Sequence, residues 1–258
     1  MENLQKKVKI INSKNQNIAA VIHSPNTKTE KLAILCPGFL DSKDYEHLVK
    51  LAEVLVEHGF TVVRFDPTGT WESEGAISDY TNSQYIEDIR NIIQYMLKED
   101  NYKYILLGGH SRGGQISISY TARDSSISLV LGIMPSLSSL FSVKNEELKK
   151  WEKEGFRISL RNIPNTDKKR EFHVPFSNAI DRKKYDTLED VKKIKVPIIL
   201  ITGELDTTVL PESVKKIFNN ANEPKKFISI PGIGHDYRHK LEEIEKVNKI
   251  IISNIGEI

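Results

Sequence analysis

A single cysteine, Cys36, excludes an intramolecular disulfide and a cysteine-rich zinc site. The opening MENLQKKVKI lacks the apolar run of roughly 7 to 15 residues that a secretory signal places after its basic end. No stretch approaches the ~18 uninterrupted apolar residues of a membrane span, so a cytoplasmic protein with no membrane span is expected. An excess of one charge is missing too. The 37 Lys+Arg face 35 Asp+Glu, and the formal +2 that remains is too weak a field to make nucleic acid or an anionic membrane the default partner. Internal repeats and low-complexity tracts are absent. What is there is 258 residues, 39% apolar and 28% charged, enough for one large domain around a buried core. Substrates are therefore sought in a pocket, and the chain leaves room for a homodimer.

Val8–Ile11 and Ile18–His23 flank a polar turn and read as an antiparallel hairpin. Six short apolar runs come after it, at Leu32–Cys36, Thr61–Phe65, Tyr104–Leu107, Leu129–Ile133, Ile198–Ile201 and Phe227–Ile230, with the continuity of strands buried on both faces. Between them lie helical spacings: Leu48, Leu51, Ala52, Leu55 and Val56 before a stop at Gly59; Ile86, Ile89, Ile93 and Leu97; Gln115–Arg123; Val214, Ile217 and Phe218 after Pro211; and Leu241 to Ile255. The alternation predicts an α/β fold, an eight-stranded, mostly parallel sheet with helices on both faces. Residues 134–190 break it. They are dense in charge, with a helix expected over Val143–Glu154 and with Pro164 and Pro175 interrupting the rest of the segment. Because this insertion leaves the carboxyl end of a strand, where ligands of open parallel sheets bind, it is expected to form a small cap. The core is then residues 1–133 and 191–258.

Strand, turn and helix meet at Gly108-Gly109-His110-Ser111-Arg112-Gly113-Gly114, which places Gly-x-Ser-x-Gly in the setting that gives the pattern meaning. Such a sharp turn holds a serine in strained backbone above the sheet and brings neighbouring chains too close for side chains, hence the glycines. A serine hydroxyl is a weak nucleophile at neutral pH and needs a base and an orienting carboxylate. Asp206 follows the seventh strand and His235 the eighth, so Ser111, Asp206 and His235 fall in the order of the serine, acid and histidine of this architecture. Glu204 and Asp236 compete as the acid, and His239 as the base. Two backbone donors for an oxyanion are expected from Arg112, next to the serine, and from Phe39 in the loop Cys36-Pro37-Gly38-Phe39. Gly38 lets the backbone approach the substrate. Cys36 reads as a buried strand end.

Together, Cys36–Phe39, Asp66–Gly75, Gly109–Gly113, Asp206 and His235 resemble the α/β-hydrolase superfamily. Within it the chain is similar to capped serine esterases of the cinnamoyl or feruloyl esterase and monoacylglycerol lipase kinds, and to serine aminopeptidase-like hydrolases. The resemblance implies hydrolysis of carboxylic esters with small to medium or aromatic acyl groups through an acyl-enzyme, without metal or organic cofactor, on a small-molecule ester substrate. An amide-cleaving, aminopeptidase-like activity is the alternative, with Glu146, Glu147, Glu152 and Glu154 as groups for an amino terminus; a non-catalytic binding protein on the same fold is another. Three departures stand out. Pro37 replaces the usual His before Gly38, and Thr70 and Trp71 interrupt the usual Gly-His-Gly pattern. Arg112 is charged, and is expected to form a salt bridge or attract a carboxylate. Trp71 either packs or walls the acyl pocket. The substrate-contacting positions expected are Gly38, Trp71 and His110.

Overall fold

A computed structural model describes residues 4–137 and 145–256. In chain order the strands and helices begin with β1 (Leu4–Ile11), β2 (Asn17–Ser24), β3 (Lys31–Cys36), α1 (Glu46–Glu57), β4 (Thr61–Phe65), α2 (Asn82–Glu99), β5 (Tyr104–His110), α3 (Arg112–Thr121) and β6 (Leu129–Ile133). After them come α4 (Asn145–Glu154), β7 (Phe156–Asn162), β8 (Lys169–Pro175), α5 (Ser177–Arg182), α6 (Thr187–Val191), β9 (Ile198–Gly203), α7 (Pro211–Asn220), β10 (Lys225–Ile230) and α8 (Leu241–Ile255).

Eight strands form the main sheet in the order β1-β2-β4-β3-β5-β6-β9-β10. The β1–β2 and β2–β4 pairings are antiparallel and the rest parallel, as the alternation of apolar runs implies. The inner strands bury both faces: Leu32 to Cys36, Leu129 to Leu131, Ile133 and Ile198 to Ile201 are at most 2% exposed. Each Leu, Ile or Val among them, removed from water, contributes about 1.5–3 kcal/mol before the entropy of ordering is charged against it. Two cores result. On one face α1 and α8 bring Leu48, Leu51, Leu55, Ile244, Val247 and Ile251 against the sheet, and on the other α2, α3 and α7 bring Ile86, Ile89, Ile116, Ile118, Val214 and Ile217. The chain leaves α1 through Gly59 at φ +81°, the left-handed stop that a glycine adopts without penalty. No helix among the described residues is long and apolar enough to cross a membrane.

The insertion departs from expectation. Residues 156–175 form a hairpin of β7 and β8 rather than broken loop, with Ile163 to Lys168 as the turn. Pro164 sits in that turn, and Pro175 is the last residue of β8, so neither removes a needed donor from the ladder. Helix α4 begins at Asn145; Val143 and Lys144, which the expected helix included, lie outside the described residues. Trp151 anchors the helix, 1% exposed, its indole N–H donating to the Val174 carbonyl at 2.9 Å.

Candidate active site

Because the parallel strands β3, β5, β6, β9 and β10 all point the same way, the loops after them share one edge of the sheet. Ser111 stands there between β5 and α3 at φ +55°, ψ −117°, a backbone region that costs a non-glycine residue about 1–3 kcal/mol. The surroundings hold it in place. Its amide donates to the Ile133 carbonyl at 2.9 Å, and its carbonyl accepts from Gln115 at 3.1 Å. Helix α3 starts at Arg112, three residues earlier than its apolar spacing suggests.

Three distant side chains meet at this edge. Asp206, after β9, is buried; its Oδ1 accepts from the amides of Thr208 at 2.8 Å and Val209 at 2.7 Å. Its Oδ2 is left facing Nδ1 of His235 at 2.8 Å. With that N–H donated to the carboxylate, Nε2 of His235 is the acceptor facing the Ser111 hydroxyl at 3.1 Å. The rivals are outside this relay: Glu204 and His239 are exposed, and Asp236, at the cavity's edge, is 71% exposed and bonded to Arg238 at 3.2 Å.

The loop after β3 supplies the second feature. Tyr85 donates to the Pro37 carbonyl at 2.8 Å, the Leu40 amide donates to Tyr80 at 2.9 Å, and Trp71 donates to the Leu40 carbonyl at 3.1 Å. Between these ties the amides of Phe39 and Arg112 have no hydrogen-bond partner among the described residues. Both residues line one cavity with Ser111 and His235, a space of about 210 Å³. A hydroxyl with its base and two free backbone donors beside it is the equipment for attack on a carbonyl. Cys36 is no competitor: burial pushes its thiol up to about 12, so it stays protonated.

Other expected residues are placed differently. Trp71 does not line this cavity. Its ring meets Tyr45 and Phe172 edge-on and its N–H is committed to the Leu40 carbonyl, so it braces the loop from outside. His110 lies behind His235, its ring fully buried against His47, His235 and Tyr237; burial, followed by the charges of His235 and Arg238, holds it well below the usual imidazole range. Gly38 acts through what it lacks, since a Cβ there would stand 2.5 Å from Asp41 Oδ2. Arg112 forms no salt bridge among the described residues. Its Nε and Nη2 both donate to the Asn82 side-chain oxygen, at 3.0 and 2.6 Å, and its guanidinium lies 4.2 Å from the Tyr80 ring centre. An uncharged acceptor took the place expected of an acid.

The remaining lining was not foreseen. Arg157 and Arg161 of β7 and Arg182 of α5 reach the cavity from the insertion, and Gln115 from α3. The signal available was the strict alternation of Phe156 to Arg161. Asp41, His47 and His110 also gather ligand atoms within 4.8 Å, the one such cluster among the described residues. Arg238 already donates to Asp41 there, and so supplies the positive charge that a metal would bring.

Comparison with known proteins agrees with the fold. The family model described as serine aminopeptidase, S33 matches residues 27–187. The polyketide transferase grgF of a Penicillium species is 23% identical over 247 residues, covering 82% of this chain and 83% of its own; its crystal structure superposes with a TM-score of 0.78 over 96% of each chain at 20% identity. An acyl transferase of Photobacterium leiognathi is 25% identical over 225 residues, 83% of this chain and 69% of its own. Est1E of Butyrivibrio proteoclasticus, solved with ferulic acid bound, has a TM-score of 0.75 at 22% identity, over 97% of this chain and 100% of that one.

Proposed function

The chain belongs to the serine aminopeptidase S33 family of the α/β-hydrolase superfamily, and from that premise we propose that it is a serine esterase, cleaving carboxylic esters through an acyl-enzyme. The observation that carries the reading is the His235 ring, held by Asp206 on one nitrogen and facing the Ser111 hydroxyl with the other. In the forward step the Ser111 oxygen bonds to the ester carbonyl carbon while its proton passes to His235 Nε2. The amides of Phe39 and Arg112 receive the developing oxyanion, and Asp206 balances the imidazolium. Collapse expels the alcohol, which takes the proton from His235. Water then enters by the same route and releases the acid. The inserted residues 134–190 act as the cap, with β7 and α5 closing one side of the cavity.

Esters are favoured over peptides by charge. An amino terminus needs acids around it, and among the described residues the acid lining this cavity is Asp236, bonded to Arg238. Glu146, Glu147, Glu152 and Glu154 are exposed and outside it. The transferase names of two relatives favour one variant of the scheme, in which an organic alcohol or amine rather than water accepts the acyl group.

A fluorophosphonate probe tests the proposal. Stoichiometric labelling at Ser111, with turnover of short-chain p-nitrophenyl esters that vanishes in Ser111→Ala, is expected. A folded protein that neither labels nor turns over any ester is instead a binding protein.

A further inference from the structure

Strand β7 presents its polar residues to the site. Arg157 and Arg161 line the cavity and Ser159 is buried, whereas Phe156, Ile158 and Leu160 are 39%, 52% and 53% exposed. Around the ring of Phe39, whose amide is a proposed oxyanion donor, stand four guanidiniums. Arg112, Arg157, Arg161 and Arg182 lie 5.5, 5.1, 5.6 and 4.6 Å from its centre.

Three of these cations, Arg112, Arg157 and Arg161, face neutral groups. Arg112 bonds to the Asn82 amide oxygen and Arg161 to the carbonyls of Phe39 and Leu160, while Arg157 lies over the rings of Phe39 and Trp151. Burial, and after it the charge of Arg161, lowers the Arg157 pKa. Guanidinium does not release its proton in a protein, so the burden of gathered, partly desolvated charge persists until an anion offsets it. Two residues of the cavity lining also carry buried polar atoms. Nη1 of Arg112 and both side-chain amide atoms of Gln115 have no hydrogen-bond partner among the described residues. Unsatisfied donors at a planar cationic fork are the recognition element for a carboxylate or phosphate.

We propose that the substrate is an ester carrying a second, anionic group, a carboxylate or a phosphate, bound by Arg112, Arg157 and Arg161 with Gln115 beside Ser111. The proposal rests on the esterase reading above. In a cavity of about 210 Å³ the anion and the scissile ester are separated by only a few atoms. The anion binds and orients; the bonds that form and break remain those at the ester.

Three pairs of probes test it: p-nitrophenyl hydrogen glutarate against its methyl ester, p-acetoxybenzoate against its methyl ester, and p-acetoxyphenyl phosphate against p-acetoxyanisole. They place a carboxylate on the acyl side, a carboxylate on the alcohol side, and a phosphate. After subtraction of uncatalysed hydrolysis, at least one anionic probe is expected to exceed its neutral partner in kcat/KM by about tenfold or more, the scale of one well-formed charged contact. Arg157→Gln is expected to remove most of that ratio and Arg157→Lys to keep more of it. Equal or faster turnover of the neutral partner in all three pairs, with Ser111 labelled by fluorophosphonate, overturns this inference and leaves the esterase reading standing. No turnover of any ester together with no labelling overturns both. The wild-type ratios decide the matter even if the variants fail to fold.

Discussion

The carbonyl oxygen of Cys36 lies 2.0 Å from the point where a β-carbon on Gly113 would stand. The end of β3 and the first turn of α3 are therefore in contact through backbone, and that contact sets the distance between the loop after β3 and Ser111. Gly113→Ala forces backbone apart. A loss of about 3 kcal/mol or more is expected, seen as a fall in Tm of roughly 6–12 °C. Unchanged thermal stability would show that the two segments can separate freely.

Asp206→Asn keeps an oxygen for the Thr208 and Val209 amides but turns an N–H toward His235. The ring is then driven to the tautomer whose Nε2 carries the proton and cannot accept from Ser111. Ester kcat should fall by about 10⁴-fold with little change in Tm. Activity within tenfold of wild type would remove Asp206 from the mechanism.

Trp71→Phe deletes the N–H that holds the Leu40 carbonyl and leaves the cavity wall intact. Loss of a loop brace should lower kcat about tenfold or more while KM moves little, because displaced oxyanion donors matter most when charge develops. A change confined to KM would make Trp71 a substrate contact after all.

Besides His110, two buried histidines contribute to the loss of stability in acid. Burial lowers His47 from 6.5 to about 3, and burial with the neighbouring Arg64 charge lowers His23 to about 4. The unfolded chain takes up these protons near 6.5 and the native one does not, so their contribution is complete above pH 6.5 and is lost as pH falls toward 4 and then 3. Asp66 and Asp88, raised by burial from 3.8 to about 6, act in the opposite sense, losing their contribution as pH rises through 6. His47→Phe should accordingly reduce the difference in Tm between pH 7 and pH 5. An unchanged difference would refute this assignment.

The strands, and the loops that carry Ser111, Asp206 and His235, were legible because they depend on backbone. Continuous apolar runs mark doubly buried strands, glycines mark close approach, and parallel order puts the loops on one edge. Side-chain direction was not. Trp71 sits at φ +44° and turns outward, a choice that no local pattern announces. The β7–β8 hairpin had a clear period-two signature in Phe156 to Arg161, but Pro164 and Pro175 read as breakers when one is a turn and the other a strand end. The usual rule that apolar residues face inward would also have assigned the wrong side to the arginines.

That reversal ties two of the pocket's guanidiniums, Arg157 and Arg161, to the register of a single strand. Deleting one residue just before Arg157 would slide β7 by one place and exchange its two sides, carrying isoleucine and leucine into the chamber and the guanidiniums out to water. Under the anionic-substrate proposal, a chain with Ser111 untouched would thereby lose part of its preference for charged ligands in one genetic step.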